Sequence, residues 1–225
     1  MNRRKKKKKM DKIRNGYTTS KRRKANRLLC ERYPFLKMYN RFGKEIYWHG
    51  KRFCCTWADR FPKGWWKAFG IMLCEELREE LVKHNFLEQY RIIEIKEKYG
   101  QLRIYDNGVP PDSNVWDIIT KYSHLSENIC IRCGEPDVPM INCYGWYSPY
   151  CFNCYASFSK NRKIDRAEMR QKYLDNVCED SEYDWKMAKT YSVRTFSETE
   201  DIVVNTYDIS ETVDKIRENL GKNHG

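Results

Sequence analysis

At 225 residues, 40% hydrophobic and 14% aromatic, the chain suffices for one medium domain or two small ones with a packed core. No run of about 18 apolar residues occurs and no apolar stretch opens the chain, so neither a transmembrane helix nor a secretory signal is expected. The net charge of +12 is spread unevenly: residues 1–28 carry fourteen bases and one acid (+13), and residues 29–225 carry 29 bases and 30 acids (−1).

Residues 1–28 lack apolar periodicity and bury too little surface to offset the entropy of ordering, so a disordered basic arm is expected. Its run Arg3, Arg4, Lys5, Lys6, Lys7, Lys8, Lys9 and its second cluster Lys21, Arg22, Arg23, Lys24 suit the phosphates of DNA or RNA. A solvated tail, or a nuclear localisation signal in a eukaryotic host, has the same composition. No acylation signal or amphipathic apolar face accompanies the arm, so no membrane partner is expected.

Residues 29–129 read as an α+β body. Tyr33-Pro34-Phe35-Leu36 suggests a short helix or extended segment halted at Pro34. Tyr47, Trp48, Phe53, Trp57 and Phe61 are expected in the core rather than as a base-stacking surface, with a short hairpin around His49-Gly50. From Trp65 to Lys83, residues Trp66, Phe69, Leu73, Leu77 and Leu81 mark the apolar stripe of a helix. Glu75, Glu76, Glu79 and Glu80 then form its solvated side. Tyr90 to Asp106 reads as a hairpin turned at Tyr99-Gly100, burying Ile93 and Ile95 on one strand and Leu102 and Ile104 on the other. Ser113 is a good N-cap for a helix that buries Val115, Trp116, Ile119 and Tyr122.

Residues 130–159 carry the strongest chemical signal. Cys130-x-x-Cys133 and Cys151-x-x-Cys154 stand seventeen residues apart, with Gly134 after the first pair. Each turn can aim two sulfurs at one metal, and the spacing fits a zinc ribbon whose intervening residues form a short hairpin. One structural Zn2+ is expected, because four thiolates leave no position for water or substrate. The His-x-Glu partner of a zinc deaminase is missing, and no His lies between the pairs to support an HNH nuclease. Cys143 is the spare thiol nearby. Ten cysteines grouped around a metal pattern point to a reducing, cytoplasmic setting.

Tyr33-Pro34-Phe35-Leu36, Gly64-Trp65-Trp66-Lys67-Ala68-Phe69-Gly70 and Lys96-Glu97-Lys98-Tyr99-Gly100-Gln101-Leu102-Arg103, followed by the two Cys pairs, resemble an uncharacterised family of phage and prophage zinc-ribbon proteins. In that family a Lys-Glu-Lys-(Tyr/Phe)-Gly-x-Leu-Arg hairpin precedes a helix and then a Cys-x-x-Cys-Gly…Gly-Trp…Cys-x-x-Cys ribbon. The resemblance spans residues 28–155 and implies that body and ribbon are one inherited unit. It implies no activity.

Residues 160–225 read as a small acidic α+β extension: a helix over 160–189, a hairpin from Tyr191 to Tyr207, and a last helix opened by Asp208 and Glu211 and closed at Gly221. Residues 175–225 hold twelve acids and six bases (−6), enough to fold onto and screen the arm or to stand as a separate acidic surface. No phosphate loop, dinucleotide fingerprint or catalytic triad is present, so an enzyme is not expected. The favoured expectation is α+β, a helix–hairpin–helix body with a zinc ribbon, acting as a non-enzymatic nucleic-acid-binding accessory protein encoded by a phage. The alternative is a modulator or inhibitor of a host nucleic-acid machine (polymerase, ribosome or defence nuclease), bound to a host protein or ribonucleoprotein complex.

Overall fold

The computed structural model describes residues 20–40, 42–46, 52–143, 145–157, 165–178 and 210–221. These are helices with two small two-stranded sheets, an α+β chain. They divide into two units. One takes the residues up to Phe61 with Gly70–Lys96 and Arg103–Ile119; the other takes Pro62–Phe69, Glu97–Leu102 and the residues from Thr120 onward.

In the first unit, α1 (Ser20–Arg32) starts inside the stretch expected to be disordered. Lys, Arg, Ala and Leu are good helix formers, and Arg22, Asn26 and Cys30, four residues apart, give the helix a side to dock. Asn26 is buried and donates to Phe53 O (3.0 Å) and Asp59 Oδ2 (2.9 Å), while Arg22 Nε donates to Asp59 Oδ1 (2.9 Å). The Asp59 carboxylate also accepts from Thr56 N (2.8 Å) in the capping box of the turn Trp57–Asp59. Local propensity plus this shared carboxylate orders a segment that composition alone leaves unstructured. Residues 1–19 lie outside the described residues, as does the hairpin expected at His49-Gly50.

The turn Pro34–Leu36 buries Phe35 and Leu36, and Phe35 meets Tyr90 edge-on at 5.9 Å. Helix α2 (Ile71–Lys83) buries Leu73, Leu77 and Leu81 as their spacing predicts, with Cys74 beside them. Its glutamates are not all merely solvated. Glu75 accepts from Tyr33 Oη and Arg32 Nε (2.6 Å each), and Glu80 accepts from Asn114 N (2.8 Å).

Strands β1 (Ile92–Lys98) and β2 (Gln101–Asp106) pair as one sheet. The turn residues Tyr99 and Gly100 both have positive φ (52° and 78°), the requirement of a two-residue I′ hairpin loop. Leu102 and Ile104 are buried as expected, but on β1 the buried pair is Ile92 and Ile95, and Ile93 is 58% exposed. Residues three apart on a strand point to opposite faces, so β1 is covered on one face at Ile92 and on the other at Ile95.

In the second unit, the turn Lys63–Trp65 leads into the π-helical Trp66–Gly70. Helix α3 (Val115–Glu127), which belongs to this unit only from Thr120 onward, buries Val115, Ile119 and Tyr122, but Trp116 sits one position off that stripe and is 52% exposed. Within the second unit its polar residues hold β2: Ser126 Oγ accepts from Leu102 N (2.8 Å), and Ser123 Oγ donates to Leu102 O (2.7 Å). Two buried serines thus satisfy strand groups that no further strand among the described residues pairs with. Strands β3 (Met140–Cys143) and β4 (Trp146–Pro149) form an antiparallel hairpin in register Met140↔Pro149 to Cys143↔Trp146. Short helix α4 (Phe152–Ala156), α5 (Arg166–Asp175) and α6 (Ser210–Gly221) complete the unit. Ile216 of α6 is fully buried, and Arg217 pairs with Asp137. The hairpin expected between Tyr191 and Tyr207 and the cap at Asp208 lie outside the described residues. Among the described residues no helix is long and apolar enough to cross a membrane.

Candidate metal centre

Two turns, one before β3 and one after β4, bring four sulfurs together. The first is closed by Cys130 N to Glu135 O (2.7 Å) and Gly134 N to Cys130 O (2.9 Å). Ile131 N donates to Pro149 O (3.0 Å), tying the first turn to the end of β4, where the chain enters the second. Because the hairpin returns in register, Cys151 and Cys154 arrive opposite Cys130 and Cys133.

The Sγ atoms of Cys130, Cys133, Cys151 and Cys154 all lie within 4.8 Å of one another, and those of Cys133 and Cys151 are 3.6 Å apart. A disulfide would need about 2.05 Å. A tetrahedron of sulfurs about 2.3 Å from a central ion has edges of about 3.8 Å, close to the observed separation. The four cysteines can therefore hold one metal ion, and soft thiolates select a thiophilic one. Cys143, at the end of β3, is not in the cluster.

The protonation pattern is mixed, favouring the thiolate at Cys130 and the neutral thiol at Cys133 and Cys154. Burial pushes the Cys130 thiol up, but backbone N–H groups of Cys151, Cys133 and Arg132 aimed at its sulfur outweigh burial and hold it below the ordinary thiol value. Burial pushes Cys133 up to about 11 despite the Glu135 N–H, and Cys154 is pushed up by burial and by the neighbouring Cys130. Four thiolates this close repel one another. A bound cation reverses that penalty, so metal binding here displaces protons.

The first turn rests on a segment distant in sequence. Gly64 N donates to Ile131 O (2.9 Å) and Trp65 Nε1 to Ile129 O (2.8 Å), with Trp65 fully buried. A Cβ on Gly64 would overlap Cys130 O and come 2.7 Å from Ile131 C, so only glycine lets the two backbones meet. Gly134 returns the constraint: its φ is +87°, and a Cβ there would lie 2.8 Å from Gly64 O.

The second turn has no such backing, since α4 buries no residue. It leans on α5 through Tyr173, whose hydroxyl donates to Tyr150 O (2.8 Å) and whose ring meets Phe152 and Tyr155 edge-on at 5.6 and 5.3 Å. After α5 the chain runs along β3, with Asn142 N to Asn176 O (2.8 Å) and Cys178 N to Met140 O (2.9 Å). Neither Tyr173 nor the Gly64-Trp65 platform was singled out as part of the site. The Gly-Trp word was visible in sequence, but its partner was not.

The basic candidates are distributed differently. Lys21, Arg22, Arg23 and Lys24 lie on the first turns of α1, where Lys21 and Lys24 are exposed and Arg22 is engaged by Asp59. Arg3 to Lys9 lie outside the described residues. No family model, curated protein or solved structure matches the chain.

Proposed function

We propose that the chain is a non-enzymatic, sequence-independent nucleic-acid-binding accessory protein stabilised by one structural zinc and working inside a phage's host cell. The donor set supports the metal: four thiolates complete a tetrahedron and leave no position for a substrate, so the ion holds a ribbon and performs no chemistry. Iron takes the same sulfur set, and metal analysis of native protein distinguishes the two, with one zinc per chain expected. The phage assignment rests on the family resemblance of residues 28–155, and the helix–hairpin–helix body on the apolar periodicity of residues 65–122.

The observation that carries the binding reading is the way α1 continues the basic arm. Its inward side is fastened by Arg22, Asn26 and Cys30, Lys21 and Lys24 are exposed and continue the sequence's run of cations, and Arg27 pairs with Glu31 (3.4 Å). Fixed cations lose less entropy on meeting a polyanion than free ones, and each phosphate they neutralise releases counterions. Because Asn26 and Cys30 belong to the fold, the informative variant removes residues 1–19 and carries Lys21→Gln and Lys24→Gln. If six to ten phosphates are engaged, affinity of the full chain for DNA or RNA falls about 10³–10⁵-fold between 50 and 200 mM salt. The variant should flatten that slope and keep its metal. Salt-insensitive, weak binding by the full chain would defeat this reading and leave the modulator of a host machine, detectable as one nuclease-resistant protein partner.

A further inference from the structure

The near-zero charge of residues 29–225 conceals a second basic stretch. Residues 160–172 hold six bases and two acids (+4), offset in the sum by the −6 of residues 175–225. The described part of this stretch stands beside the second cysteine turn. Arg166 and Arg170, one turn apart on α5, both lie over the ring of Phe152, with guanidinium carbons 5.8 and 5.7 Å from its centroid. Arg132, inside the first turn, reaches the other end of α4, donating to Ser157 Oγ (2.6 Å) and Cys154 O (3.5 Å). All three arginines are exposed.

The acids that share the stretch are committed elsewhere. Asp165 accepts from Ala167 N (3.1 Å) as the N-cap of α5, and Glu168 accepts from Lys172 Nζ (2.6 Å). Among the described residues no carboxylate pairs with Arg166 or Arg170, although like charges one helical turn apart repel. Each guanidinium lies within cation–π reach of Phe152, and an arginine held there can offer paired N–H donors to phosphate oxygens.

We propose that Arg132, Arg166 and Arg170 form a second phosphate contact, on the metal module, that takes the phosphodiester backbone of a nucleic-acid strand. It rests on the nucleic-acid reading and adds a site to the arm and α1. The metal has a use in it: α4, which buries nothing of its own, is held by Cys151 and Cys154 so that Phe152 and Ser157 can position the three arginines.

The test compares two double variants of the full chain, Arg166→Gln with Arg170→Gln and Arg166→Lys with Arg170→Lys, by anisotropy on oligothymidylate and oligouridylate across a salt series. Both pairs lose the stacked guanidinium, and only the Gln pair loses charge. With each single-strand phosphate contributing about 0.7 to the slope of log K on log salt, the Gln pair should lower the slope by about 1.4 and bind about 25-fold more weakly near 0.1 M salt. The Lys pair should keep the slope. An unchanged slope in the Gln pair, with the parent chain binding normally, overturns this site alone. Equal loss in both pairs also overturns it, assigning the arginines to packing on Phe152. If the parent chain binds neither strand, this site and the nucleic-acid reading fall together. Should the Gln pair lose its metal, Arg170→Gln is measured instead, with a slope change of about 0.7 expected.

Discussion

Around α2 the chain is held by carbon: Phe35, Leu36, Leu73, Leu77, Leu81 and Tyr90 are all buried in the first unit, and Phe35 meets Tyr90 edge-on. Around the cysteines it is held by sulfur and by main chain laid on main chain. Cys130 is buried, but the other three ligands are half-exposed, and α4 buries no side chain. A stripe of leucines stabilises a helix by area removed from water, at about 25 cal/mol per Å². A five-residue helix that follows Cys151 and contains Cys154 has no such area to draw on, so a metal on those sulfurs would be its main support.

Metal removal gives the largest expected effect and divides the two regions most clearly. Structural zinc contributes about 10–16 kcal/mol of apparent binding free energy near neutral pH, and for such sites binding and folding are one process. Thiol modification or Cys133→Ser should strip amide-exchange protection from β3, β4 and α4 and leave it in α2 around Leu73, Leu77 and Leu81. Cys143→Ser should keep the metal, since Cys143 is outside the cluster. Gly64→Ala should weaken metal binding from far upstream in sequence, because its methyl would displace the carbonyl of Cys130. Equal loss of protection in α2 would show that the contrast is false and that the metal supports both regions.

The leucine-held region is sharpened by neighbouring isoleucines. Ile95 is 5% exposed, and Ile95→Ala should cost about 2–5 kcal/mol. Ile93→Ala, two residues away and on the same strand, should stay within about 0.5 kcal/mol. Denaturant melts of the two variants check this, and comparable losses would return Ile93 to the core.

The cysteine cluster was legible because its information is local: two short words and a spacing bring four sulfurs together. The stripe Leu73, Leu77, Leu81 was legible for the same reason, a period carried within one helix. What escaped were partners far apart in sequence. Asn26 reads as one polar residue in a basic run until Asp59 is beside it, and that pairing helps hold a helix over Ser20–Arg32. Ser123 and Ser126 read as neutral helix positions until the open edge of β2 makes them its hydrogen-bond partners. Strand alternation placed Ile93 inward with Ile95 because it assumes one covered face, whereas β1 is buried on one face at Ile92 and on the other at Ile95.

The smallest effect expected belongs to the carbon-held region and is electrostatic. Partial burial works to raise the pKa of Glu75, but hydrogen bonds from Tyr33 and Arg32 prevail and hold it below the usual carboxylate value. Tyr33 is itself pushed up to about 12, by burial and then by Glu75, so its hydroxyl remains a donor at acid and neutral pH. A carboxylate whose folded pKa lies below its unfolded value contributes stability above about pH 4.3, and that contribution disappears as pH falls through the folded value. Tyr33→Phe removes one of the donors responsible. It should cost about 0.5–1.5 kcal/mol at neutral pH, with the gap to the parent chain narrowing as pH drops below the low fours and Glu75 protonates in both proteins. Acid also protonates the cysteine thiolates, but that loss is common to parent and variant and cancels in their difference. A gap independent of pH would mean that the Tyr33 hydroxyl stabilises the fold without acting through the charge of Glu75.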